Sequence, residues 1–115
     1  MIWLGIPVLL LVGVYLAGPS PATPIWDPTM PIVPQDPIGL GAYVTNQESK
    51  HKLKPDNEAR IVWADSMKQK TKYSVVYLHG YSASQGEGDP VHKQFAKEFG
   101  CNLYLARMAD HGVDT

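Results

Sequence analysis

The sequence predicts an α/β fold with a doubly wound, mostly parallel sheet, of which only the first strands lie in this chain. The run Tyr73–Leu78 is apolar and uncharged, which is typical of a strand covered on both faces. An amphipathic helical pattern over residues 90–99 follows it, and a second apolar run then covers Asn102–Ala106. Strand, loop, helix and strand in this order predict a βαβ unit with parallel pairing.

The composition is that of one globular domain. The chain has 115 residues, of which 44% are hydrophobic and 18% charged. A net charge of −1 argues against a nucleic-acid partner, because phosphate binding needs clustered Lys and Arg. The single cysteine, Cys101, excludes an internal disulfide and is expected to be buried as a small hydrophobic residue.

The first 18 residues are interpreted as a signal peptide or membrane anchor. Ile2–Ala17 contains no charge, and as a helix it would be about 24 Å long, closer to a signal-peptide core than to a full transmembrane helix. Ser20-Pro21-Ala22 resembles a cleavage site of small residues. We therefore expect an exported (periplasmic or extracellular) or membrane-anchored protein, with a buried N-terminal helix as the alternative.

Residues 19–37 are predicted to be a proline-rich linker. Pro28, Pro31, Pro34 and Pro37 recur at every third residue, which matches the three-residue turn of polyproline II and predicts an extended, semi-rigid segment. The folded part is then expected over residues 38–115.

Within that part, two elements precede the βαβ unit. Leu40, Tyr43, Val44 and Gln47 have helical spacing and predict a short helix. Residues 59–64 are interpreted as a strand, followed by a polar connection over residues 65–72.

The helix of the βαβ unit has clear expected ends. Asp89 is the expected N-cap, Pro90 suits the first helical position, and Gly100 suits the C-terminal end. The apolar residues are expected to pack against the sheet, and they are Val91, Phe95, Ala96 and Phe99. Three strands and one confident helix leave one face of Tyr73–Leu78 uncovered, so further strands and helices are expected to follow Thr115.

Two motifs at the ends of the apolar strands resemble the α/β-hydrolase superfamily, in its serine esterase and lipase branch. The first strand runs directly into His79-Gly80-Tyr81, similar to the family's oxyanion loop. The second leads into Arg107-Met108-Ala109-Asp110-His111-Gly112, similar to an Arg-x-x-Gly-His-Gly element, with Asp110 in place of the first glycine. The resemblance covers residues 58–115.

This resemblance implies that the chain is the N-terminal part of a serine hydrolase acting on small-molecule or lipid carboxylic esters, without a cofactor. The Tyr81 N–H would bind the oxyanion, Gly80 would let the backbone approach the substrate, and His79 would orient the loop. The nucleophile, acid and base are expected after Thr115, so the 115-residue chain alone is expected to be inactive.

The sequence is also compatible with different functions. Residues 80–84 are one residue short of a G-x-S-x-G nucleophile elbow, which makes Ser82 an alternative nucleophile, although no helix begins immediately after it. A metal site is not expected from the spacing of His79, Asp89, His92, Asp110 and His111, which are interpreted as solvated loop residues. A non-catalytic exported binding domain on the same fold stays open, and so does peptidase or dehalogenase chemistry.

Overall fold

The computed structural model of the protein describes residues 2–20, 22, 23, 25 and 27–114, with the side chains of residues 2–4 left undescribed. Pro21 and Pro24 of the predicted linker lie outside these residues, and Pro21 is also the middle residue of the predicted cleavage site. The chain divides into two compact units, Met1–Met30 and Pro31–Thr115.

The first unit contains helix α1, which spans Ile2–Ala17. Its described apolar residues are exposed (Leu9 and Leu11, for example, are 73% and 70% exposed). Among the described residues, no helix is both long enough and apolar enough to cross a membrane.

The second unit is built on a three-stranded sheet. Its elements follow in the order α2 (Pro37–Glu48), β1 (Arg60–Val62), β2 (Ser74–Tyr77), a 3₁₀ turn (Gln85–Gly88), α3 (Val91–Glu98) and β3 (Asn102–Leu105). The strand order is β1-β3-β2. As the sequence predicts, β2 and β3 are parallel and are joined through α3, with Ser74 opposite Asn102 and Tyr77 opposite Leu105. The pair β1–β3 is antiparallel, so this sheet is mixed.

Helices α2 and α3 lie on opposite faces of the sheet. Successive residues of a strand point to alternate faces. Leu103 and Leu105 are fully buried in a cluster with Ala96 of α3 and Cys101, against which Val75 and Tyr77 pack. On the other face, Tyr104 lines a cleft together with Leu40, Tyr43 and Val44 of α2.

Helix α2 begins one residue before the predicted folded part. The Asp36 side chain accepts a hydrogen bond from Gly39 N–H at 2.6 Å, and Pro37 occupies the first turn. Pro37 therefore belongs to the helix, at a position where its missing N–H costs nothing.

Two expectations for α3 are wrong. Asp89 does not cap the helix, since Pro90 occupies that position without a side-chain cap, and the Asp89 carboxylate instead binds Lys93 Nζ at 3.0 Å. The buried residues are His92 and Ala96, whereas Val91, Phe95 and Phe99 are 69%, 52% and 64% exposed. Ala96 is small enough to let the helix approach the strands, so the face nearest the sheet is the one that contains it. The expected end is observed, because Gly100 has a φ of +59°.

Candidate functional site

The residues after β2 form a tight turn with an unpaired amide. Residues 79–84 are called the β2 loop below. Ala83 N–H donates to Gly80 O at 3.2 Å, which closes a four-residue turn, and Ser82 has a φ of +61° at its third position. Within residues 27–114 no hydrogen bond engages Tyr81 N–H, and the Tyr81 side chain is 94% exposed. The N–H that the sequence predicts as an oxyanion donor thus has no acceptor in this part of the chain.

The residues after β3 form a second turn. Residues 107–112 are called the β3 loop below. His111 N–H donates to Met108 O at 3.1 Å, and Asp110 and Gly112 have φ values of +60° and +69°. Because β2 and β3 are parallel, both loops leave the same carboxyl edge of the sheet, where ligands bind in open α/β folds.

Two histidines join these loops. His79 of the β2 loop accepts a hydrogen bond at Nε2 from Met108 N–H of the β3 loop, at 3.2 Å. His111 of the β3 loop accepts one at Nε2 from Ser82 N–H of the β2 loop, also at 3.2 Å. The two rings are 5.1 Å apart between centroids. Each loop therefore supplies the ring that holds the other.

The partners of these rings determine where their protons lie. A backbone N–H can only donate, so Nε2 of both rings carries no proton. Nδ1 of His79 lies 2.9 Å from Gly80 O, and Nδ1 of His111 lies 2.9 Å from Ala109 O, so each Nδ1–H donates to a carbonyl. His79 is 4% exposed and bonds only backbone atoms, which suits a residue that orients a loop. The interpretation of His79 as a solvated loop residue is therefore wrong.

A partly buried ion pair anchors the β3 loop to α2, with side chains that are 9% (Arg107) and 14% (Glu48) exposed. Arg107 Nε and Nη2 donate to the Glu48 carboxylate at 2.7 and 3.1 Å, and Arg107 Nη1 donates to His111 O at 3.3 Å. Burial by itself raises the pKa of Glu48, but the hydrogen bonds from Arg107 and Ala59 N–H outweigh it, so this pKa lies below its ordinary value. The bond to Glu48 likewise raises the pKa of Arg107.

The two loops enclose a cleft of about 740 Å³, called the loop cleft below. Its lining combines residues of both loops with Glu87 of the 3₁₀ turn, Val113, and two residues that precede β1, Lys54 and Asn57. The loop residues are Tyr81, Ser82, Ala83, Ser84, Asp110, His111 and Gly112. The volume of the cleft lies within the range of small-molecule sites.

A carboxylate stands beside the turn. Glu87 Oε2 accepts a hydrogen bond from Gly80 N–H at 2.9 Å. Desolvation of the Tyr77 hydroxyl, together with the negative charge of Glu87, raises the pKa of Tyr77. The amide of the residue before Tyr81 already binds an anionic oxygen, while the charge of Glu87 opposes a second anion nearby.

The remaining sequence candidates are dispersed. His92 belongs to α3, where it is 5% exposed, bonds Gln85 O through Nε2 at 2.9 Å, and meets the Tyr77 ring edge-on. Its interpretation as a solvated loop residue is also wrong, because the two-turn helix directs it at β2. Asp89 pairs with Lys93. In the described part of the chain, no three His, Cys, Asp or Glu side chains are grouped so as to hold a metal.

Sequence reasoning did not identify Glu87 or Glu48. Glu87 lies seven residues from its partner Gly80, and Glu48 lies 59 residues from Arg107. No motif marks either residue, since a lone glutamate is ordinary on a solvated surface.

Comparison of the chain with protein-family models, curated proteins and solved structures gives no match.

Proposed function

We propose that this chain is the N-terminal part of a serine hydrolase acting on carboxylic esters, and that its β2 loop supplies a donor of the oxyanion hole. The observation that carries the proposal is the Tyr81 N–H, which has no acceptor among residues 27–114 and belongs to a turn lining the loop cleft. The proposal gives none of the described residues the role of nucleophile, general acid or general base.

The chemistry follows from the rigidity of the turn. Attack on an ester carbonyl places negative charge on its oxygen, and a donor already aimed at that oxygen stabilises the transition state without reorganisation. His79 is bonded on both ring nitrogens, so it holds Gly80 and the β3 loop in place before a substrate arrives. One such backbone donor contributes about 3 kcal/mol, or 10²–10³ in kcat.

The turn geometry allows a test that removes one N–H. Tyr81 is the second residue of the turn Gly80–Ala83, a position that proline commonly occupies. In the full-length gene product, we expect Tyr81→Pro to lower kcat for a carboxylic ester about 10²–10³-fold with little change in KM. Tyr81→Ala is the matched control, because it removes the side chain and keeps the N–H.

Equal losses in the two Tyr81 variants would assign the effect to the side chain and reject the oxyanion role. A full-length product without esterase activity would favour a non-catalytic binding domain instead.

A second candidate has one observation in its favour, namely the contact of Ser82 with His111. Ser82 N–H lies 3.2 Å from His111 Nε2, so the backbone of a serine contacts an imidazole ring in the lining of the loop cleft. Against it, Nε2 is already bonded to that N–H, and the next helix, α3, begins only at Val91. Under the main proposal, the 115-residue chain does not hydrolyse p-nitrophenyl acetate above the buffer rate. Turnover that Ser82→Ala abolishes would make Ser82 the nucleophile.

We also propose that the N-terminal unit directs export or membrane anchoring. The support is the uncharged helix α1 with its exposed apolar side chains. Fractionation of cells expressing the tagged full chain should place it in the membrane fraction or show processing near Ala22. A soluble cytoplasmic product with an intact N-terminus would reject this.

A further inference from the structure

A second cleft lies at the opposite edge of the sheet from the two loops. Ser74 and Asn102, the first residues of the parallel strands β2 and β3, both line it, so it opens at their amino ends. Its volume is about 580 Å³. We call it the amino-edge cleft. It shares no lining residue with the loop cleft, so an inference about it stands independently of the proposed ester hydrolysis.

The walls of this cleft are predominantly apolar and aromatic. Tyr43, Trp63 and Tyr104 contribute three rings, and Leu40, Val44 and Ile61 contribute aliphatic surface between them. All six side chains are only partly buried, which leaves this surface accessible to a ligand. A concave apolar lining with a few polar groups is the usual composition of a small-molecule site.

Three polar groups on the aromatic residues of the cleft have no partner in the described part of the chain. The Tyr43 and Tyr104 hydroxyls and the Trp63 indole N–H make no hydrogen bond within residues 27–114. Burial raises the pKa of Tyr104, so its hydroxyl keeps its proton. The Asn102 side-chain amide is already used, because its oxygen accepts from Ala64 N–H and its nitrogen donates to Gln69 O.

The charge of the lining has one sign. Lys70 is the single charged residue among the described lining residues, and none of the ion pairs found in residues 27–114 involves it. The connection from Met67 to Tyr73 holds three lysines and no acid. The carboxylate that acts on Tyr104 is that of Glu48, which is paired with Arg107.

We propose that the amino-edge cleft binds an apolar monocarboxylate, with the hydrocarbon part between the aromatic rings and the carboxylate at Lys70. One lysine balances one negative charge, which favours a carboxylate over a phosphate dianion. A cationic amphiphile of equal chain length lacks this partner and meets like charge at the mouth of the cleft.

Decanoate is the probe, and the readout is the indole N–H signal of Trp63 in ¹H–¹⁵N NMR spectra of the full chain. This local readout is needed because α1 also exposes apolar surface to decanoate, and the chain has three tryptophans. The Trp63 signal is assigned by its loss in Trp63→Phe. We expect saturable shifts with decanoate and at least about tenfold weaker binding of decyltrimethylammonium.

The chain-length series tests the apolar wall without any variant. Each methylene removed on going from decanoate to octanoate to hexanoate should weaken binding about fourfold, which corresponds to about 0.8 kcal/mol per buried CH₂. A Trp63 signal that does not respond to decanoate, or an affinity independent of chain length, overturns the proposal.

Two lysine variants test the charge. Lys70→Gln should weaken decanoate binding about two- to fivefold, because a solvent-exposed ion pair contributes modestly. Lys72→Gln is the matched control, since Lys72 does not line the cleft and its Nζ lies 5.1 Å from the centre of the Tyr73 ring. Equal effects of the two variants, or equal binding of the cationic amphiphile, would show nonspecific association and overturn the assignment to Lys70.

Discussion

The imidazole rings of His79 and His111 lie 5.1 Å apart, and each accepts a hydrogen bond from the backbone of the loop that carries the other. Neither loop contains regular secondary structure, so these two bonds hold the turns to each other. Within the β3 loop, Arg107 Nη1 also donates to His111 O. The geometry of the loop cleft therefore depends on the bonds of the two rings.

Replacement of His79 by alanine should destabilise the fold. The variant leaves Gly80 O and Met108 N–H without their ring partners in a site where His79 is 4% exposed. We expect a loss of about 2–3 kcal/mol in the free energy of unfolding, measured by urea denaturation. His51→Ala, at an exposed position, should change it by less than about 0.5 kcal/mol. Similar losses in both variants would contradict the bridging role of His79.

The Glu48–Arg107 pair should make stability depend on pH in the acidic range. The pKa of Glu48 is lowered in the folded protein, so its contribution is complete above the unfolded value of about 4.3 and is lost as the pH falls through the folded value. Glu48→Gln leaves Arg107 without its carboxylate, and we expect a loss of about 3 kcal/mol at pH 7.

The difference between wild type and Glu48→Gln should shrink below about pH 4, as the wild-type carboxylate becomes protonated. Urea midpoints at pH 7, 5 and 3.5 measure it. Glu98→Gln, which removes an exposed carboxylate outside the ion pairs of the described residues, should show no such trend. A difference that stays constant with pH would contradict the ionised pair.

Two glycines of the 3₁₀ turn should respond differently to alanine. A Cβ at Gly88 would lie 2.5 Å from Tyr77 Cζ and 2.8 Å from His92 Cδ2, whereas one at Gly86 would meet only Ser84 Oγ, at 3.5 Å. Gly88→Ala should cost about 1–3 kcal/mol of stability through overpacking, while Gly86→Ala should cost less than about 0.5 kcal/mol. Thermal unfolding of both variants measures this. Equal stabilities would show that Tyr77 and His92 do not contact the turn closely.

The two faces of α3 should tolerate polar substitution unequally. Val91 is 69% exposed and Ala96 is 4% exposed within the core cluster. Val91→Gln should change stability by less than about 0.5 kcal/mol, whereas Ala96→Gln should cost about 2–3 kcal/mol, since it inserts a larger polar side chain into the core. A larger loss of stability in Val91→Gln than in Ala96→Gln, measured by urea denaturation, would contradict this assignment of the buried face.

The elements of the βαβ unit could be predicted from the sequence because their signals are local. An uncharged β-branched run specifies β2. Gly100, which has a positive φ, marks the C-terminal end of α3. The loop residues His79, Gly80 and Tyr81 follow from the same local pattern, since they begin where the strand ends.

The orientation of α3 and the construction of the loop cleft required the tertiary structure. Helical periodicity gives the apolar stripe of Val91, Phe95, Ala96 and Phe99. Of these four residues only Ala96 is buried in the cluster with Leu103 and Leu105, and the periodicity does not distinguish it from the other three. Likewise, Glu48 and Arg107 are 59 residues apart, and no local pattern brings them together. The sequence by itself determined where the strands of the βαβ unit form and where α3 ends at Gly100, because those depend on neighbouring residues. The pairing of His79 with His111 and of Glu48 with Arg107 was decided by the folded chain, because only the sheet brings segments so distant in sequence within hydrogen-bonding distance.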